Sequence, residues 1–388
     1  GSAAVVAALV IVYKGRWNGE KLLDGRSVDF ISEVLDSQGG WGEAKQLFRN
    51  VSRSFQGSVL VGLGFVLTEQ EALEFLKQRA ENAEVVKPFL SGEDLNSDPE
   101  QKASRWAIDF RDASLELCEK KWPELLTRIK ELVKPQRDNT KRETHRRYWW
   151  HHGDKRPALY SCIKNREEVF VIASVTKYVS VVRVPANQIF LNKVYVFDLP
   201  GWSSFCALQS TFHDVWVRRG SSTVGETLNY TPSDYFDTYP FLHINGVNLE
   251  DVGMRYHELR KTIMKNRNQG LTNTYNQFHD QQDASSDIRD LRNLQIEMDL
   301  IVANAYGWAD LNCEHGFYET KQGMRFTISE KAKRDVLQRL LIINHQQFDD
   351  EISLRSQEVT HTKKSTKRGV MKIDSSAGAF GDLFAGKG

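Results

Sequence analysis

Between Ala158 and Leu199 five short apolar runs, ALYSCI, EEVFVIASV, VSVVRVP, QIFLN and KVYVFDL, follow one another with only brief polar turns between them. Runs of this length, rich in β-branched and aromatic residues and bounded by turn residues, read as strands of an antiparallel or mixed sheet. Past Asn245 the pattern changes. MRYHELRKTIMKNR (254–267) reads as a basic helix, and Ile288, Leu291, Leu294, Met298, Ile301 and Ala305 recur at i, i+3 and i+4. Val336, Leu337, Leu340, Leu341 and Ile343 mark a further helix. A run of strands followed by a run of helices predicts a mixed α+β chain, with a β-rich unit flanked by helices and a helical part after it.

The remainder fits around that division. Ala3 to Val12 is apolar but shorter than the roughly 20 residues a membrane helix needs, and it reads as a buried strand. A chain that opens on a core strand is expected to be part of a larger protein. SVDFISEVL (27–35) resembles a short helix. SVLVGLGFVLT (58–68) reads as a strand running into a helix, capped by Thr68 with Glu71 as its capping-box partner. Gly62-Leu63-Gly64 permits close backbone packing there. VVKPFLSGEDLNSDPE (85–100), dense in Pro, Gly, Asp and Asn, reads as a boundary loop. Trp106 to Phe110 reads as a strand, followed by an amphipathic helix interrupted at Trp122-Pro123. SSFCALQSTFHDVWVRRG (203–220) reads as one helix stopped by Gly220. The stretch from about Thr360, rich in Lys, Ser, Thr and Gly, is expected to be a mobile tail.

Composition limits the chemistry. A formal net charge of +1 excludes a uniformly basic protein, so any polyanion site must be a local patch. Cys118, Cys162, Cys206 and Cys313 lie far apart without a CxxC pair, which argues against a structural zinc or a disulfide framework and fits a reducing cytosol. His151 and His152 are adjacent and would point to opposite faces of a strand, so one ion cannot easily take both. Glu100-Gln101-Lys102, with Asp94 and Asp98 nearby, imitates part of a nuclease site but sits in a loop and is a decoy. No G-x-S-x-G elbow or Walker loop occurs.

The basic residues are more informative. Lys134, Arg137, Lys141, Arg142, Arg146, Arg147, Lys155 and Arg156 outnumber the nearby acids, and RRYWWHHGDKRP (146–157) interleaves them with aromatic residues. Lys164, Arg166, Lys177, Arg183 and the Arg218-Arg219 pair extend the cationic positions. Cations on one face of a sheet suit a nucleic-acid duplex, whose phosphates supply most sequence-independent affinity. The tryptophans read as packing that anchors the sheet. The competing reading is a protein–protein scaffold with solvated basic patches.

Several segments carry a resemblance. YKGRWNGEKLLDGR, GLGFVLT, PFLSGEDLNSDP with AIDFRD, VKPQRD, YWW with KRPALY, VFVIASVTK, LQSTFHDVW, LNYTPSDYFDTYPF, NQGLTNTYNQFHD, AYGWADL with HGFYET, and QGMRFTIS occur in that order. From roughly Ala3 to Asn344 the chain resembles the C-terminal half of the MmeI-like DNA methyltransferases, adenine-N6 modifying enzymes of restriction–modification and related phage-defence systems. The resemblance implies that residues 1–75 finish or flank a methyltransferase domain, 76–247 form the target-recognition domain, 248–345 form a helical C-terminal domain, and 346–388 are a polar tail. It implies double-stranded DNA as partner, together with the methyltransferase domain and other defence-system subunits, in the cytoplasm and without a membrane. The family's glycine-rich S-adenosylmethionine turn and its Asn/Asp-Pro-Pro-aromatic loop have no counterpart in this sequence. The expectation is therefore a chain with no cofactor of its own that does not methylate alone.

By the same resemblance, base-reading positions fall at Asn192 and Lys193, and at Gly225, Glu226, Thr227 and Asn229 ahead of Tyr230, with Lys177 a further candidate at a strand end. Asn suits adenine, Lys suits guanine, and Glu accepts from a cytosine amine. Arg146, Arg147, Lys155, Arg156, Lys164, Arg166, Arg218 and Arg219 are the candidate phosphate contacts.

Overall fold

Two four-stranded sheets grow from the apolar runs of the first half of the chain. One comprises β3 (Ser54–Gln56), β7 (Glu168–Ala173), β9 (Val182–Pro185) and β11 (Val194–Phe197), in the order β3-β11-β7-β9 and antiparallel throughout. The other comprises β4 (Val66–Leu67), β5 (Val86–Leu90), β6 (Arg105–Ile108) and β10 (Ile189–Phe190), in the order β10-β5-β6-β4, with β10 parallel to β5. β1 (Lys21–Leu23) and β2 (Arg26–Val28) form a hairpin, as do β14 (Gly316–Thr320) and β15 (Gly323–Thr327). β8 (Val175–Thr176), β12 (Thr223–Val224) and β13 (Thr227–Asn229) form a small sheet in the order β12-β13-β8. This computed structural model describes residues 11, 13–23, 25–28, 31, 43–220, 223–224, 227–241 and 247–368. Most of the expected Ala3–Val12 strand and of the 27–35 helix lies outside them; Ser27 and Val28 belong to the first hairpin.

The helices of the first half are α1 (Glu69–Gln78), α2 (Gly92–Ser97), α3 (Leu115–Lys121), α4 (Pro123–Leu132), α5 (Lys134–Asp138), α6 (Glu143–Arg147) and α7 (Pro157–Cys162). Those of the second half are α8 (Gly201–Gln209), α9 (Thr211–Gly220), α10 (Pro232–Tyr235), α11 (Val247–Arg267), α12 (Leu271–Phe278), α13 (Ser286–Ala305) and α14 (Glu330–Arg368). The fold is the mixed α+β class that the sequence predicts. β7 is buried from Val169 to Ala173, which explains an apolar run without alternation. Phe170 packs against Trp202 and Phe205 of α8, and α2 also packs against the strand. The sheet residues Val171 and Val196 share one core with Phe205, Trp216, Tyr256, Met298 and Leu340 of the later helices. A second core joins Phe65, Leu67, Ile108, Ile129, Trp149 and Trp150.

Local signals account for several elements. Thr68 and Glu71 make the reciprocal capping box, with Glu71 accepting from the Thr68 N–H at 2.8 Å. Trp122-Pro123 separates α3 from α4, with Pro123 at the start of the second helix, where its missing N–H leaves no bond unmade. Gly64 packs so closely on α4 that a β-carbon there would meet the Leu132 Cβ at 2.6 Å.

Other expectations are corrected. ALYSCI is helix α7, because Pro157 starts a helical turn and Leu159 and Ile163 are its inward residues. The 85–100 segment is not a loop: β5 and α2 lie within it. Pro88 falls outside the two residues that β10 pairs, and Ser91 with Asp94 caps α2. SVLVGLGFVLT forms two isolated bridges, a 3-10 turn at Leu63–Phe65 and the two-residue β4 rather than one strand. The 203–220 helix is two helices broken at Ser210, whose extended backbone leaves the Thr211 N–H to donate to the Asp299 carboxylate at 2.8 Å. The β14–β15 hairpin interrupts the region that patterning reads as wholly helical. Residues 346–368 continue α14, where Glu351 accepts from the backbone N–H groups of Phe48 and Arg49. No described helix is long and apolar enough to cross a membrane.

Candidate nucleic-acid interface

The two tryptophans and two histidines of RRYWWHHGDKRP face inward, while Tyr148 stays exposed. Trp149 and Trp150 are buried, and the Trp150 Nε1–H donates to the Ala113 carbonyl at 3.0 Å. His151 and His152 reach the Ala113 and Ile108 carbonyls through Nε2, each at 2.8 Å. Burial holds both imidazoles below their usual pKa. Among the described residues no cluster of three His, Cys, Asp or Glu could hold a metal ion. Arg137 also points inward, where its guanidinium donates to the backbone carbonyls of Leu60, Val61 and His151 at 2.7–3.0 Å.

Five of the seven candidate base readers come together at one end of the central sheet. The Ser174 N–H donates to the Lys193 carbonyl at 2.8 Å, and the Ser174 carbonyl accepts from the Tyr230 N–H at 2.7 Å. Ser174 thus ties the β10–β11 turn, which carries Asn192 and Lys193, to the strand that ends at Asn229. Asn229 pairs with Val175 and Leu228 with Thr176, so Lys177 follows directly from the paired strand. Thr227 and Asn229 are exposed while Leu228 is buried, the alternation that puts both on one outward face. Lys193 is exposed as well, and Lys177 and Asn192 are half-buried. Gly225 and Glu226 lie outside the described residues.

Of the candidate phosphate residues, Arg156 belongs to the same edge. Its Nη2 donates to Gln56 Oε1 at 2.6 Å, and Gln56 Nε2 donates to the Asn192 carbonyl at 3.0 Å. Lys155 pairs with Asp112 at 2.5 Å. Arg146 and Arg147 are exposed on α6, the former donating to the Thr140 carbonyl and the latter lying over the Tyr148 ring. Lys164 and Arg166 are elsewhere. They precede β7, whose six residues set them roughly 20 Å from its Ala173 end. Arg166 there holds Asp198 at 2.8 and 3.1 Å. Arg218 pairs with Asp214 at 2.9 Å, and Arg219 lies 4.0 Å from the Trp216 ring centroid. The cations of the sequence therefore divide among separate surfaces instead of forming one stripe.

Sequence reasoning missed α2 as a neighbour of this edge. Asn96 Nδ2 donates to the Val175 carbonyl at 3.4 Å, and a β-carbon on Gly92 would lie 3.2 Å from the Lys193 carbonyl. The Ser91-x-x-Asp94 capping signal was the available clue. That cap also accounts for Asp94, whose carboxylate accepts from Ser91 and from the Ser104 N–H. Lys102 pairs with Glu100 at 2.6 Å, and Asp98 accepts from two backbone N–H groups, so the nuclease-like trio is a set of turn contacts.

The chain is thus a mixed α+β unit that gathers strand ends and turns at one end of its central sheet. Residues 43–243 match the family described as MmeI, target recognition domain. That is more than half of the chain, which belongs to this family. Among solved structures it is similar to the Type IIL restriction-modification enzyme MmeI in complex with DNA, with a TM-score of 0.59 at 17% identity. The match covers 84% of this chain and 39% of that one, and at this identity it establishes a shared fold. No curated protein matches the chain.

Proposed function

We propose that the chain is a sequence-specific recognition module for double-stranded DNA, part of an S-adenosylmethionine-dependent adenine-N6 DNA methyltransferase of a restriction–modification or related defence system. The supporting observation is the convergence of Lys177, Asn192, Lys193, Thr227 and Asn229 on one sheet edge, tied through Ser174, in a member of a target-recognition family. A two-stranded β-ribbon fits a major groove, where each base pair shows its own donor and acceptor pattern. Lys193 suits guanine O6 and N7, and Asn229 suits the N6 and N7 edge of adenine. Arg156 and the exposed Arg146 and Arg147 would hold phosphates and set the register. Recognition in this scheme spans residues 76–247 together with β3, and residues 248–345 brace it. The cofactor and the methyl transfer would belong to a partner methyltransferase domain, into which the target adenine is flipped.

Substitution at the edge tests the assignment. Asn229→Ala or Lys193→Ala should cost about 1–3 kcal/mol for the preferred base at one position and relax the preference there. Competition binding with a panel of singly substituted duplexes measures this. A uniform loss across the panel would contradict a base-reading role for the residue changed.

A further inference from the structure

Next to the sheet edge, a cavity of about 380 Å³ lies between Tyr178, α9, α12, the β14–β15 hairpin and the first turns of α14. Its lining includes Arg218, Arg219, Lys321, Arg325, Lys333 and Arg334. The carboxylates among the lining residues are Asp214 and Glu330, and both are engaged: Asp214 by Arg218 at 2.9 Å and Glu330 by Lys333 at 2.6 Å. Six cationic side chains thus share this lining with two carboxylates.

Arg325 distinguishes this cavity from a solvated basic patch. The residue is only 6% exposed, yet its Nε, Nη1 and Nη2 make no hydrogen bond. Its guanidinium lies 4.5 Å from the Tyr178 ring centroid, and among the described residues no carboxylate pairs with it. Burial works against its charge and lowers its pKa; Tyr178 and Asp214 offset part of that, and the neighbouring Arg218 adds to it. His279, also in the lining, supplies no compensation: its Nδ1 accepts the Phe326 N–H at 3.1 Å, so the ring faces the cations as a neutral group. A buried guanidinium with every donor unused is costly unless an anion completes it.

We propose that this cavity is an anion site that takes a phosphoryl group, gripped by Arg325 with the surrounding basic side chains completing the charge balance. A guanidinium fork matches phosphate oxygens in pairs, and the volume lies within the range of small-ligand sites. Two sources share that chemistry. One is a backbone phosphate of bound duplex, since the cavity wall at Tyr178 follows directly on Lys177; this source rests on the DNA reading above. The other is a free phosphate compound, which does not depend on that reading.

The test uses the full chain and its Arg325→Met and Arg325→Lys variants. Arg325→Met removes an uncompensated buried charge while keeping an apolar stem, so it should fold at least as stably as the parent. Titration calorimetry with inorganic phosphate should show saturable binding to the parent, weakened about tenfold or more in Arg325→Met and partly kept in Arg325→Lys. In parallel, duplex affinity is measured against salt. A salt slope lower by about one in Arg325→Met identifies a DNA phosphate as the occupant. An unchanged slope with phosphate binding lost identifies a free phosphate compound. Equal phosphate binding, or none, in parent and Arg325→Met together with equal salt slopes overturns the site. If the parent binds no duplex at all, the DNA reading fails while the phosphate titration still decides this one.

Discussion

Arg137 and Arg146 stand nine positions apart in the same basic run, and the structure buries one and exposes the other. Arg137 is 1% exposed and satisfies three backbone carbonyls, joining the 60–61 segment to His151. Burial lowers its pKa to about 10, still far above neutral, so it remains a cation in the fold. Arg146 is exposed on α6. Arg137→Ala should destabilise the chain by about 3 kcal/mol or more, because the buried Leu60 and His151 carbonyls and the part-buried Val61 carbonyl lose their donor. Arg146→Ala should change stability by less than about 0.5 kcal/mol but weaken all duplexes alike, with a salt slope smaller by about one. Urea unfolding and salt-dependent binding separate the two, and equal stability losses would contradict the assignment. Residue type and spacing identify cations, but which way a cation faces depends on carbonyls some 76 residues away in sequence. That is why the basic run was legible and its inward member was not. The tryptophans beside it were legible as packing, since large aromatic rings gain most from burial.

Elements were readable where the signal was local. The Thr68 capping box, the Trp122-Pro123 break and the long apolar stripe of α13 need only neighbouring residues. Elements that depend on distant partners were misread. The α8–α9 break at Ser210 is held by Asp299 of α13, and β5 depends on β6 and β10 to accommodate Pro88. The second-half helices carry a predictable pH dependence. Burial depresses His213 of α9 to about 4 and His257 of α11 to about 3. Unfolded, both return to near 6.5, so the unfolded chain binds more protons as pH falls below that value. Stability should therefore be complete above about pH 6.5 and fall towards pH 4, by up to about 1.4 kcal/mol per pH unit for each histidine. Urea unfolding between pH 7 and pH 4.5 measures the slope. His213→Gln should reduce it, and a parent whose stability is constant over that range would contradict the burial argument.

At the scale of the molecule, the strands of the central sheet and the helices after residue 247 bury their apolar residues in one core, with Val171 and Phe205 in the same cluster as Tyr256, Met298 and Leu340. Lys193, Thr227 and Asn229 stay exposed at the end of that sheet, held by a shared core as a rigid readout surface would need. The mixed α+β class was legible from the succession of strand-like and helix-like runs. The convergence of Lys193 and Asn229 was not, because it depends on a register set by β8 and β13, which together contribute only five residues. The most direct measurement is enrichment of a random-sequence duplex pool on the immobilised chain at moderate salt, followed by sequencing. Recovery of one short motif containing an adenine is the predicted result. Retention of all sequences alike, or of none, would contradict a sequence-reading role for this chain.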